Sequence, residues 1–224
     1  MSFRRLVCSG ALLLSILSVS AARLVPQTSA PPQHRATSTP YSGDLSIFET
    51  AGRDQKLHID QVMTILGMTP GKTVADIGAG SGWFTVRAAR RVTSTGKVYA
   101  VDINQEAIDY IQNRARKEQL SNIVTIVNKP NNPGLPPDSI DVVLFLKAYH
   151  EIAEPVTFLR NLRSSLRPGA RIGIIERDGN GEDHGVNKDV ILREADEAGY
   201  RLVDEHDDLV KGDKMDSFLV LIAK

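Results

Sequence analysis

Between Val74 and Trp83 the chain reads VADIGAGSGW, with Gly78, Gly80 and Gly82 at alternate positions behind Asp76. Glycine serves where backbone must turn left-handed or where another group approaches the main chain closely. A tight turn is the plainer alternative, but it needs fewer glycines than three in five residues. The loop follows an apolar run and precedes WFTVRAARRV, so it predicts a strand, a bare-backbone loop and a helix whose amide-rich start faces a ligand.

The rest of the chain repeats this strand-then-helix rhythm. Apolar residues Ile59, Val62, Met63 and Leu66 give one face of a helix over 54–66. Strands are expected at 73–77, 97–102, 123–127, 140–146 and 170–176. Helices are expected at 83–92, 105–117, 155–166 and 187–198. IDVVLFL at 140–146 is nearly all apolar, as in a strand covered on both faces. Pro155 suits a first helical turn, and Asn187 and Gly199 suit a helix start and stop. Two further strands, 200 to about 209 and 217–223, are joined by a connection too short for a crossover, so that pair is expected antiparallel. The predicted fold is α/β, a doubly wound Rossmann-like sheet of seven strands, mostly parallel, with one antiparallel strand near the edge. With 224 residues, 42% of them hydrophobic, the chain carries enough apolar material for one such core.

In sheets of this kind ligands bind at the carboxyl ends of the strands, where strand order reverses. The spacing disfavours a dinucleotide, because Trp83 stands where the third glycine of G-x-G-x-x-G would allow close helix packing. Gly-Lys-Ser/Thr, which a P-loop needs, is absent. Asp76 repels a pyrophosphate and attracts a cation. Asp102 ends the second strand, and a carboxylate there can accept hydrogen bonds from two ribose hydroxyls. Its alternative role is to cap the helix from Gln105, which Asn104 could cap instead. A ribose, a positive charge and no pyrophosphate together describe S-adenosylmethionine.

The segments VADIGAGSGWFTVRAA, GKVYAVDIN, DVVLFLKAYHEI and LRPGARIGIIE resemble successive motifs of the class I S-adenosylmethionine-dependent methyltransferases. The resemblance covers roughly 48–224. It implies that Asp76, Gly78, Ala79, Gly80 and Gly82 lie along the methionine part of the cofactor. It implies that Asp102 holds the ribose and that Ile103 packs on the adenine. Asn131 or Asn132 stands near where the family often has an acidic residue for the adenine amine. Lys147 and Leu146 border the cofactor, and the loop Lys147–Glu151 borders the acceptor. His150 is the candidate base and Tyr149 a candidate pocket wall; both have a purely structural alternative. Arg53 is a candidate partner of the cofactor carboxylate, or else a surface ion pair. Glu182, Asp183 and His184 are adjacent in sequence, which disfavours a shared ion, so no metal is expected.

The first 43 residues contain no Asp or Glu, and Arg4 and Arg5 precede an uncharged run from Leu6 to Ala22. That pattern reads as a signal peptide over 1–22, hence export to the periplasm or medium, with an uncleaved membrane anchor as the alternative. Residues 23–45, with four prolines, read as a flexible linker, and 46–224 as the methyltransferase domain. Cys8 is the only cysteine, so the part after the signal has no thiol chemistry. Net charge is zero, which gives no reason to expect nucleic acid as a partner. The expected function is methyl transfer to a small-molecule acceptor; the alternatives are a silent binder of the same cofactor and, less well supported, a nicotinamide-dependent oxidoreductase.

Overall fold

A computed structural model describes residues 35–224; the expected signal, 1–22, and the first part of the expected linker lie outside the described residues. The strands are β1 (Thr73–Ile77), β2 (Lys97–Asp102), β3 (Ile123–Val127), β4 (Ile140–Leu146), β5 (Leu166–Glu176), β6 (Tyr200–Glu205) and β7 (Ser217–Ala223). They form one sheet in the order β3-β2-β1-β4-β5-β7-β6. The first five pair in parallel, while β7 runs antiparallel to both β5 and β6. The reversed strand therefore lies one place in from the edge. The chain steps outward from β1 to β3 and then returns to place β4 on the other side of β1, which puts the order reversal between β1 and β4.

The helices are α1 (Arg53–Lys56), α2 (Ile59–Ile65), α3 (Trp83–Val92), α4 (Gln105–Lys117), α5 (Pro155–Arg163), α6 (Lys188–Glu197) and α7 (Asp207–Val210). None of the described helices is long and apolar enough to cross a membrane. Side chains at successive strand positions point to opposite faces, and the core divides accordingly. Ala75, Ile77, Val143 and Phe145 join Phe158, Leu162, Ile191 and Tyr200 under α5 and α6. Val74, Val98, Val142 and Leu144 join Val62, Phe84, Ala88 and Val92 under α2 and α3.

Four local expectations change. The single helix over 54–66 is broken at His58, which has φ of 46°. Leu57 and Ile59 are both buried, and residues two apart on a continuous helix face different ways; the break lets both enter the core. Strand β5 begins at Leu166, not Ala170. Its register jumps from Ile140↔Leu166 to Val142↔Arg171, so Arg167-Pro168-Gly169 bulges out of the ladder, where proline's missing N–H does no harm. The connection from β6 to β7 is not a polar turn. It holds α7 and a 3-10 turn at Lys211–Asp213, and it buries Val210 and Met215.

The fourth change concerns the linker. From Arg35 onward it is docked on the domain. Arg35 Nη2 donates to the carbonyl of Tyr149 at 2.7 Å, and Nε donates to Glu194 Oε1 at 3.0 Å. The Ser38 amide donates to the His150 carbonyl, and Asn104 Nδ2 donates to the Tyr41 carbonyl. Such a strap is held by polar bonds and carries no hydrophobic period.

Gly173 in β5 lies beneath α2. A methyl group there would stand 2.8 Å from Leu66 Cδ1 and 3.0 Å from Leu144 Cδ1, both on buried side chains. Overfilling such a site costs about 1–3 kcal/mol. Gly173→Ala is expected to lose that much in urea unfolding; an unchanged midpoint and slope would contradict this packing.

Candidate functional site

The glycine loop is anchored to β2, because the Gly78 and Ala79 amides both donate to the Val101 carbonyl, at 2.8 and 3.1 Å. All three glycines have positive φ, 71°, 53° and 71°. Their bareness has three separate causes. A Cβ on Gly78 would run into the Cβ of Ala148, in the loop after β4. A Cβ on Gly82 would meet Ile111 Cγ1 at 3.0 Å, which would push α4 away. A Cβ on Gly80 would make only ordinary contact, 3.6 Å from the Phe48 ring. Gly82 does not line the cavity described next, so its expected place along a ligand is corrected to a packing role.

Above these loops lies a cavity of about 860 Å³. Its floor comes from the carboxyl ends of β1, β2, β4 and β5, as expected at the strand-order reversal. Its roof comes from the strap, through Thr37–Tyr41 and Leu45–Phe48. Asp76, Gly78, Ala79, Gly80, Asp102 and Ile103 line one end. Leu146, Lys147, His150, Glu151 and His184 also line it.

Asp102 accepts from the Gly80 amide through Oδ2 at 2.8 Å and from the Asn104 amide through Oδ1 at 2.9 Å. These bonds fix the carboxylate plane and leave each oxygen with further accepting capacity. Burial pushes its pKa up, against the pull of those amides. Asn104 does not cap α4 with its side chain, which is bonded to the strap instead. Asp76 is buried, with Oδ2 accepting from Thr85 Oγ1 at 2.6 Å. Burial pushes its carboxyl up to about 7, and the Asp102 charge adds to the rise. Two carboxylates in a half-apolar hollow make this end a cation-seeking one.

Ile103 lines the cavity and is 37% exposed, an apolar face free to take a planar ring. Asn131 and Asn132 do not line it. The Asn131 carbonyl accepts from Asn161, and Asn132 Oδ1 accepts from the Gly134 amide, which closes a turn. Asn128 and Pro130 line the cavity instead. Asn128 was legible as the first residue after β3; nothing in the pattern ranked it above its neighbours. Lys147 reaches the cavity from a left-handed backbone position, φ 56°, and its amide donates to the Ile175 carbonyl.

Tyr149 turns the other way. Its side chain is fully buried against Phe145, its hydroxyl donates to Glu194 Oε2 at 2.9 Å, and the residue does not line the cavity. Its expected catalytic or wall role is corrected to a structural one. His150 is buried with Nδ1 2.9 Å from Glu176 Oε2, and the same oxygen accepts from the His150 amide at 3.2 Å. The Glu176 carboxylate thus takes the Nδ1 N–H, and Nε2 lies 3.9 Å from Glu151 Oε1. Burial pushes Glu151 up to about 7, offset in part by His150. Arg53 is buried, donates to Asp213 Oδ2 at 3.1 Å and lies over the Trp83 ring, 4.4 Å from its centre. It is a wall group, not a solvated surface charge.

Sequence reading missed the roof, because Ser38, Tyr41 and Phe48 sit in a stretch without period. It also missed that the fold carries His184 back to His150, their ring centres 5.6 Å apart.

A family model described as a methyltransferase domain matches residues 68–206. The ubiquinone/menaquinone biosynthesis C-methyltransferase UbiE of Escherichia fergusonii is 32% identical over 116 residues, 49% of this chain and 44% of that protein. The chain spans less than half the length of the curated relatives it matches. Among solved structures, an S-adenosylmethionine-dependent methyltransferase from Aquifex aeolicus superposes with a TM-score of 0.69 at 22% identity, over 80% of this chain and 97% of the other. The cyclase SpnF superposes with a TM-score of 0.62 at 16% identity, over 85% and 86%. Both likenesses are of fold. The motif-bearing sheet, the acid-lined hollow at its order reversal and the family match over most of the folded region place this chain in the methyltransferase-domain family, the class I S-adenosylmethionine-dependent methyltransferases.

Proposed function

We propose that the chain transfers a methyl group from S-adenosylmethionine to a small-molecule acceptor. The observation that carries the proposal is Asp102, a buried carboxylate held rigid by two main-chain amides at the edge of a cavity. When bound, the cofactor supplies a methyl group on a sulfonium, a leaving group that needs no acid. Asp102 is placed to accept from paired hydroxyls, Ile103 to cover an aromatic ring, and Asp76 to favour positive charge. Phe48 and Tyr41 exclude water from above. That exclusion and alignment are the main contributions a protein makes to such a displacement.

The acceptor enters at the other end, beside Lys147, His150 and Glu151. The Nε2 electron pair of His150, oriented by Glu176, is the basic group there, and proton removal of this kind is worth about 10²–10⁴-fold in rate. SpnF shares the fold under the name of a cyclase, so catalytic turnover of a methyl group needs its own measurement. Titration with S-adenosylmethionine and NAD, followed by labelled-methyl transfer to small-molecule extracts, separates transferase, silent binder and oxidoreductase. We also propose export through the basic-then-apolar N-terminus; Edman sequencing of the native protein is expected to begin near residue 23.

Charge-assisted hydrogen bonds contribute about 1.5–3 kcal/mol each. Asp102→Ala is therefore expected to weaken S-adenosylmethionine binding at least ~10-fold by calorimetry; equal affinity would remove the ribose role.

Asp76 predicts a pH effect. Its folded pKa, about 7, lies above its unfolded value of 3.8. Its stabilising contribution is thus fully present below pH 3.8 and is lost as pH rises toward 7. Asp76→Asn keeps a partner for Thr85 and cannot ionise. The stability difference between variant and parent, read by urea unfolding, should grow in the variant's favour from pH 4 to 7 and then level off, at 1.36 kcal/mol per pH unit or less. A difference independent of pH would show that Asp76 keeps its ordinary pKa.

A further inference from the structure

We infer that His150, Glu151 and His184 form a binding site for a divalent transition-metal ion at the acceptor end of the cavity. One ligand atom from each lies within 4.8 Å of those from the other two. Two imidazoles and a carboxylate are a donor set for Zn²⁺ and its neighbours in the first transition row, not for Mg²⁺ or Ca²⁺, which take oxygen. Bonds of about 2.0–2.2 Å would bring the ligand atoms to about 3.4 Å apart. The 3.9 Å between His150 Nε2 and Glu151 Oε1 is half an ångström wider. His184 is exposed and Glu151 half-exposed, so both side chains have room to close.

Three features separate this cluster from a chance meeting of polar residues. First, Glu176 is completely buried and accepts from His150 Nδ1, the outer-shell arrangement that fixes a metal-binding histidine's tautomer and orientation. Second, the His184 loop is tied down from outside. Ser38 Oγ accepts from the His184 amide at 3.0 Å and donates to the Gly181 carbonyl at 2.7 Å. His184 itself is left-handed, φ 60°. Third, all three side chains line the cavity, so an ion held by them keeps open positions toward it. Of the cations that line the cavity beside Lys147, Arg177 has its guanidinium turned to Asp183.

With the cofactor at the aspartate end, the reading on which this inference rests for the acceptor's position, such an ion would contact an oxygen or nitrogen atom of the acceptor. The electron pair of His150 Nε2 would then serve the metal and not a proton.

Chelator-treated full-length protein is titrated with ZnCl₂ by calorimetry and with CoCl₂ by visible absorption. One equivalent with micromolar or tighter affinity is expected, together with ligand-field bands of protein-bound Co²⁺. Glu151→Gln and His184→Ala, which alter partly exposed side chains, should weaken binding at least tenfold. Glu176→Gln, which keeps the shape of the buried group, should weaken it by about 10–100-fold. Binding only at millimolar metal, or binding undiminished in all three variants, overturns the site. S-adenosylmethionine titrated into the same samples reports the cofactor end separately, so the metal site and the transferase reading can fail independently.

Discussion

The loops after β1 and β4 touch where Gly78 meets Ala148, and the site depends on that contact. β1 and β4 are neighbours at the point where strand order reverses, so their following loops must part to opposite sides of the sheet. They part only after passing each other without room for one Cβ. The glycine is therefore demanded by protein packing as much as by any ligand. The same holds for Gly82 against Ile111, which sets how closely α4 lies on the loop. With both contacts made, Gly80 is the glycine whose Cβ position meets no backbone or core side chain, and its amide, with that of Asn104, holds Asp102. A glycine-rich loop that looks like a single binding device is three devices, two of which exist to place the third.

Packing of this kind also explains what the sequence made legible. Strands β1, β2, β4 and β7 and helices α3 and α4 follow their apolar pattern to the residue, because they are buried on two faces or on one clear stripe; β3, at the sheet edge, keeps its expected bounds with no residue fully buried. The glycine loop and Asp102 were legible for the same reason: they terminate strands whose ends are unambiguous. The structure gives Tyr149 its structural alternative and keeps the two asparagines off the cavity; neither was legible, because a loop has no period and a loop residue's direction depends on partners far along the chain. For Tyr149 that partner is Glu194, 45 residues away; for the strap it is the carbonyls of Tyr149 and His150, more than 100 residues away. A Pro- and Ser-rich stretch reads as linker when its contacts are single polar bonds to distant backbone.

The cavity is electrostatically divided. At one end Asp76 and Asp102 are desolvated carboxylates, and their mutual repulsion raises Asp76 further. Desolvating two carboxylates so close together costs stability, and such perturbed groups cluster at functional sites. At the other end Glu176 is as deeply buried, yet it is fully engaged by the His150 ring and amide and by the Arg177 amide. Asp76 and Asp102 keep accepting capacity toward the cavity, while Glu176 is spent on orienting a side chain.

The strap links those tasks. Arg35 grips the backbone of Tyr149 and His150, Ser38 holds the loop of His184, and Tyr41 binds Asn104 beside Asp102. Its Phe48 ring lies over Gly80, and the Phe48 carbonyl accepts from Arg53. The stretch 35–48 thus touches the loops of His150 and His184, the residue that follows Ile103, and Gly80 of the glycine loop. A segment so placed lies along the cavity from the aspartates to the histidines. The minimal sheet-and-helix unit supplies the floor that its structural relatives share. The strap supplies the roof over that floor.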